Sequence, residues 1–260
     1  MSDDATLVHT SREGGVGIIE LARPQAFNCQ SMDSVVQFTA ALAAIEADAS
    51  LRALLIRAQG KNFCTGADLQ DVKGRREDPV ALRQFIAGGH AMLCALEASR
   101  LPVVAAVQGL CLAGGIEIAL ACDVVFAART ARFGDQHAQF GLVPGWGGTQ
   151  RLPRIIGLRR ALDLMFSARW IEAATALDWG LANYVVDDDK LQAEALAYCT
   201  TLATRSAPGL AAMKRLAREG VQATLGDGLA MEADAVVDAL RTADVTEGLA
   251  AFEQRRKPVF

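Results

Sequence analysis

The feature that most limits how this chain can fold is the run at 101–128, LPVVAAVQGLCLAGGIEIALACDVVFAA. An apolar stretch of this length is long enough to cross a bilayer. Three polar side chains, Gln108, Glu117 and Asp123, and glycines at 109, 114 and 115 interrupt it, and such interruptions argue against a lipid-facing span. The run instead reads as short buried elements: a strand VVAAV after Pro102, a turn, a helix IEIALA after Gly115, and a strand VVFAA at 124–128. Glu117 stands alone among apolar neighbours. A bare carboxylate there is costly unless it is compensated, and a raised pKa is the usual outcome.

The same alternation extends to either side. VGIIEL at 16–21 and LRALLIR at 51–57 read as strands, and 31–47 and 80–98 carry apolar residues at helical spacing. From about residue 148 the pattern is almost wholly helical, apart from a short strand ANYVV, and 191–252 reads as several Ala-rich helices. At 260 residues and 52% hydrophobic, the chain suits one large α/β fold. The expected division is an α/β core over 1–195 and a C-terminal helical oligomerisation region over 196–260.

Charge and cysteine usage exclude several classes. The net charge is −4, and basic residues cluster only at Arg159–Arg160 and at Arg255, Arg256 and Lys257, so no basic face for nucleic acid is expected. The start, MSDDATLV, is acidic and lacks a basic and an apolar region, so no secretory signal is expected. None of the six cysteines forms a C-x-x-C pair, which fits reduced thiols in a cytoplasmic protein better than a disulfide framework. With three histidines, at 9, 90 and 137, a Cys/His metal site is not expected. No membrane association is expected either.

Two glycine-bearing loops each follow a buried strand: FCTGADL at 63–69 and GLCLAGGIE at 109–117. The first N–H groups of a helix have no internal partner, and they point outward with the positive end of the helix dipole. They are suited to donating to a developing oxyanion. Each residue also has a plainer role open to it: glycines for close packing, Asp68 as an N-cap, and Glu117 as an acid favoured near a helix N-terminus.

Read jointly, these motifs change the balance. FCTGADL, AAVQGLCLAGGIEIALACD, ARFGDQHAQFGLVPGWGGTQRLPRIIG and the C-terminal EGLAAFEQRRKPVF resemble, in order and spacing, the signatures of the crotonase superfamily, also called the enoyl-CoA hydratase/isomerase family. The resemblance runs from about Val16 to the last residue. It implies a crotonase-like ββα spiral core with C-terminal helices, an acyl-CoA substrate and assembly as a homotrimer or homohexamer. It also implies an oxyanion hole from the N–H groups of Thr65 and Gly114, and Glu117 as an acid–base residue. By the same resemblance Ala26, Thr65, Gly66, Ala67, Asp68 and Leu69 lie beside the coenzyme A moiety, as do Lys257 and Phe260 of the C-terminal segment, sometimes in a neighbour's site. Coenzyme A arrives as part of the substrate, and no separate cofactor is implied.

One departure is informative. Family hydratases use a second glutamate in the segment F-G-x-P-E, and here His137 takes that place and Gln136 takes the proline's. Three readings stay open: His137 is the second acid–base group with Asp135 orienting its ring, Glu117 works alone while His137 binds substrate or water, or the site is degenerate. The resemblance therefore implies an enoyl-CoA hydratase. The alternatives are another crotonase-type lyase, isomerase or hydrolase using His137, or a CoA-ester-binding protein without turnover. Trp146 and Phe140 are candidates for the acyl pocket.

Overall fold

The structure, a computed structural model, describes residues 6–260, and the first five residues of the acidic N-terminal stretch lie outside it. β1 (Val8–Glu13) and β2 (Val16–Leu21) form an antiparallel hairpin. The parallel strands β3 (Ala53–Ala58), β4 (Val103–Val107), β6 (Val124–Ala128) and β9 (Tyr184–Val186) continue one sheet in the order β1-β2-β3-β4-β6-β9. A smaller sheet lies apart from it, made of β5 (Leu110–Leu112), β7 (Arg132–Gly134) and β8 (Ile171–Glu172). The helices are α1 (Met32–Ala47), α2 (Leu69–Arg75), α3 (Pro79–Ala98), α4 (Gly114–Ala121), α5 (Gly148–Ile156), α6 (Leu158–Ser167), α7 (Ala173–Asp178), α8 (Leu191–Leu202), α9 (Ala207–Gly220), α10 (Leu225–Ala239) and α11 (Ala243–Glu253). No helix among the described residues is long and apolar enough to cross a membrane.

Local chemistry accounts for the main boundaries. The Ser31 hydroxyl accepts from the Ser34 N–H at the start of α1, and Asp78 caps α3 ahead of Pro79 by accepting from Val80 and Ala81. α1 buries Val35, Phe38, Leu42 and Ile45, the i, i+3, i+4 face of an amphipathic helix. β4 is buried at every residue, as a central parallel strand covered on both faces must be. α8 packs against β3, β4 and β6 with Leu191, Ala195 and Cys199 buried, so the expected boundary between residues 195 and 196 falls inside a core helix. β1 escapes sequence reading because only Val8 of its six residues is buried. β5, β7 and β8 have at most three residues each, too few to show a period.

What positions the site is a pairing between the two glycine loops. The Phe63 N–H donates to the carbonyls of Gln108 (2.8 Å) and Leu110 (3.1 Å), and Cys64 N–H also donates to Leu110 (3.1 Å). Leu112 N–H returns a bond to the Cys64 carbonyl at 2.9 Å. These bonds lay the loops side by side beyond the carboxyl ends of β3 and β4, where open parallel sheets bind ligands. The approach is so close that a Cβ on Gly115 would stand 2.1 Å from the Cys64 carbonyl oxygen. Neither backbone can yield without separating the loops. Gly115→Ala is therefore expected to destabilise the fold by about 3 kcal/mol or more. The change is read as a lower urea midpoint, and an unchanged midpoint would contradict the packing.

Candidate active site

Glu117 lies in the first turn of α4, 1% exposed. Its Oε1 accepts two backbone N–H groups, from Trp146 at 2.8 Å and Gly148 at 2.7 Å. Gly148 opens α5, so the carboxylate also faces the positive end of that helix. Oε2 accepts nothing from the described residues. Burial pushes the Glu117 pKa up. The Gly148 N–H, the nearby His137 and the Trp146 N–H pull it back, and the balance is a raised value. Such a carboxyl can hold or release a proton closer to neutral pH than a solvated one.

His137 begins the 3-10 turn His137–Phe140, one residue after Gln136, whose φ is +55°. A proline could not adopt that angle, and the Gln136 side chain is tied instead to the Ala168 carbonyl. The turn brings His137 back over Asp135. The fully buried Oδ1 of Asp135 lies 2.9 Å from Nδ1 and also accepts the His137 backbone N–H at 3.2 Å. With Nδ1 held by the carboxylate, Nε2 is the ring nitrogen left for chemistry. Burial depresses the His137 pKa, but the hydrogen bond and charge of Asp135 and the charge of Glu117 outweigh it, leaving a raised value.

The two groups line one cavity of about 100 Å³, together with Ala67, Gly114 and Gly145. Its remaining wall is apolar: Val72, Phe85, Ile86, Leu142, Val143 and Trp146. The Phe85 and Trp146 rings meet at 5.4 Å between centroids. Trp146 is thus at the cavity as expected. Phe140, 60% exposed, is not among its lining residues.

The two amides expected to form an oxyanion hole, those of Thr65 and Gly114, stand differently in the structure. The Thr65 N–H is already donated to the Phe27 carbonyl at 3.2 Å, so it is not free for a ligand. The alternation of an extended chain explains which amide is. Gly66 offers its carbonyl to the Gln30 N–H (2.8 Å), and Asp68 N–H donates to the Gln30 carbonyl (2.9 Å). The amide between them, on Ala67, must face the other way. It has no acceptor among the described residues, and Ala67 lines the cavity. The Gly114 N–H, first in α4, is likewise without an acceptor. The residue before it, Ala113, is the N-cap of α4. Its backbone, at φ 48° and ψ −118°, is one that costs a side-chain-bearing residue about 1–3 kcal/mol.

The other expected site residues divide. Ala26 ends the 3-10 turn Pro24–Ala26, whose following residue supplies the carbonyl bound by Thr65. Asp68 caps α2 through the Gln70 N–H and pairs with Arg23 at 2.9 Å, and Leu69 is half exposed beside it. Lys257 and Phe260 do not join this cavity within the chain. Lys257 lies against Thr200, Thr201, Thr204 and Arg205, and Phe260 against an apolar groove between α9, α10 and α11. Sequence reasoning missed the amides of Trp146 and Gly148 that hold Glu117, and the apolar wall from Val72 to Ile86.

The Asp135–His137 contact predicts a titration. NMR of the folded protein should place the His137 midpoint above the ordinary imidazole value of about 6.5. Because the folded value is raised, the pair stabilises the fold fully below the unfolded midpoint, and that contribution fades as pH rises through the folded one. Asp135→Asn should drop the midpoint below the ordinary value, since burial is then less opposed. No movement would contradict the assignment.

Comparison with known proteins places this geometry. A profile of the enoyl-CoA hydratase/isomerase family matches residues 11–260. A Rhizobium meliloti protein named "Probable enoyl-CoA hydratase" is 36% identical over 260 residues, covering 100% of this chain and 99% of its own. A crotonyl-CoA hydratase of Syntrophomonas wolfei is 34% identical over 250 residues, covering 96% and 95%. The crystal structure of an enoyl-CoA hydratase from Bacillus anthracis superposes with a TM-score of 0.94 at 32% identity, covering 98% of this chain and 99% of that one. The α/β spiral with its C-terminal helices is the crotonase fold, and the chain belongs to the enoyl-CoA hydratase/isomerase family, the crotonase superfamily.

Proposed function

We propose that the chain is an enoyl-CoA hydratase, adding water across the C2–C3 double bond of a 2-enoyl-CoA or removing it from the 3-hydroxyacyl-CoA. The observation that carries this reading is one cavity holding two amides that have no acceptor among the described residues, those of Ala67 and Gly114, beside two titratable side chains, Glu117 and His137. The thioester carbonyl oxygen accepts both amides. As the water oxygen bonds to C3, negative charge passes through C2 onto that oxygen, where the amides stabilise it. One acid–base group takes the proton released by the water and the other delivers a proton to C2, so the net charge of the site is unchanged, and exchange of a proton between the two groups or with solvent restores them for the next turnover. Glu117 and His137 carry these two proton transfers, and Asp135 holds the imidazole with Nε2 toward the reacting atoms.

Loop 65–69 and Ala26 border the pantetheine and nucleotide of coenzyme A in this reading. Lys257 and Phe260 serve such a site only across a subunit boundary. Large exposed apolar side chains on the C-terminal helices, Met213, Leu249 and Phe252 among them, support a homotrimer or a homohexamer. The buried Asp135–His137 pair favours one second reading, a crotonase-type lyase or hydrolase that uses the imidazole as its base.

Mixing the protein with crotonyl-CoA and longer 2-enoyl-CoAs, and following loss of the conjugated absorbance, tests the proposal. Turnover is expected. Glu117→Gln should abolish it, and His137→Ala should slow it by about 10²–10⁴. Tight binding of acyl-CoA with no turnover on any enoyl chain would overturn the hydratase reading and leave a binding protein.

A further inference from the structure

Resting on the reading of Glu117 as an acid–base group, we infer that Arg151 and Glu97 are positioning residues that clamp the turn holding the Glu117 carboxylate, and that α9 anchors the clamp from outside. The amides that bind Oε1 belong to Trp146 and Gly148, so the location of this oxygen is set by the three-residue turn between them. Gly147, at the centre of the turn, has φ +103°, a backbone that nothing in its own side chain can hold. Arg151 holds it. Its Nη1 donates to the Trp146 carbonyl at 2.6 Å, and the guanidinium lies so close over Gly147 that a Cβ there would be 2.1 Å from Nη1.

The rest of the fork is fixed from behind. Nε and Nη2 of Arg151 bind the two carboxylate oxygens of Glu97 at 2.9 and 2.6 Å, the bidentate geometry that makes such pairs specific. Glu97 also accepts from Nη1 of Arg218 in α9 at 3.2 Å. Arg218 reaches on to Asp123 Oδ1 (2.7 Å) and to the Ala121 carbonyl (3.1 Å), the C-terminal end of the helix that carries Glu117. Lys214, one turn earlier in α9, binds Asp123 Oδ2 at 2.8 Å. Both the turn that holds Glu117 and the far end of its helix are thus gripped by one chain of charges.

Helix electrostatics do not explain this placement. Glu97 sits in the last turn of α3 and Arg151 near the start of α5, the ends at which the helix dipole opposes each charge. Mutual pairing and the grip on the Trp146 carbonyl offset that cost. Among the described residues, Trp146 is the one cavity-lining residue to which Arg151 hydrogen-bonds, and it does so through the backbone carbonyl, so its effect on chemistry runs through Glu117.

Full-length Arg151→Lys keeps the charge and loses the fork. Its expected effect is a fall in kcat of about tenfold to a hundredfold, with KM for the enoyl-CoA held within about twofold, the signature of a lost transition-state interaction. His137, Asp135 and Cys64, the other titratable groups that interact with Glu117, are untouched by the change. The Gly148 and Trp146 amides lower the Glu117 pKa, so loosening them should move its ionisation to higher pH. That shift is visible in the kcat profile, and without turnover in the 13C resonance of a labelled Glu117 carboxyl. Glu97→Gln, which preserves shape and removes the charge, should show the same two effects more weakly, and serves if Arg151→Lys does not fold. A lower melting temperature with kcat and the Glu117 ionisation both unmoved would overturn the clamp while leaving the catalytic reading intact. Wild-type turnover by Glu117→Gln would overturn both.

Discussion

Everything functional in this molecule depends on two loops being held at backbone contact. The bonds from Phe63 and Cys64 to Leu110, and from Leu112 to Cys64, join the segment after β3 to the segment after β4. They set Ala67 and the first residue of α4 on one cavity wall. The contact requires Gly115, and it is accompanied by a strained Ala113. The core behind it, with β4 buried throughout and α8 packed across the parallel strands, is the rigid body that sustains that strain.

Burial does opposite things to the two titrating groups. Glu117 has amide donors on one oxygen only, so desolvation wins and the carboxyl keeps its proton to higher pH. His137 has a buried carboxylate on Nδ1, so pairing wins and the imidazole also keeps its proton to higher pH. Each charge steadies the other, and the pair shares a cavity whose other walls are apolar. A proton passing through such a pair leaves no net charge stranded, which is what a step that consumes one proton and releases another requires.

Much of this was legible in the residues. Glu117 announced itself as the one charge in an apolar helix, and the fold followed from strands and helices of ordinary length. The glycine loops pointed to backbone donors. Which amide of the first loop is left without an acceptor did not follow, because it depends on which side of the loop Gln30 occupies, a contact across 37 positions with no local signature. The order of the His137 and Asp135 pair was suggested by their spacing, but it takes the left-handed Gln136 to bring ring and carboxylate together. The apolar cavity wall from α3 was hidden for a different reason. Phe85 and Ile86 read as ordinary core residues, and only the close packing of Trp146 on α3 turns part of that face toward a cavity.

The most direct measurement is the carbonyl stretch of a bound, unreactive acyl-CoA, isolated by 13C labelling of the thioester carbon. If the amides of residues 67 and 114 both donate to that oxygen, the band should fall well below its frequency in water, because two aligned dipoles in a dry site polarise the bond more than solvent does. A band at or above the aqueous position would mean that the oxygen is held elsewhere, and the account given for this cavity would be wrong.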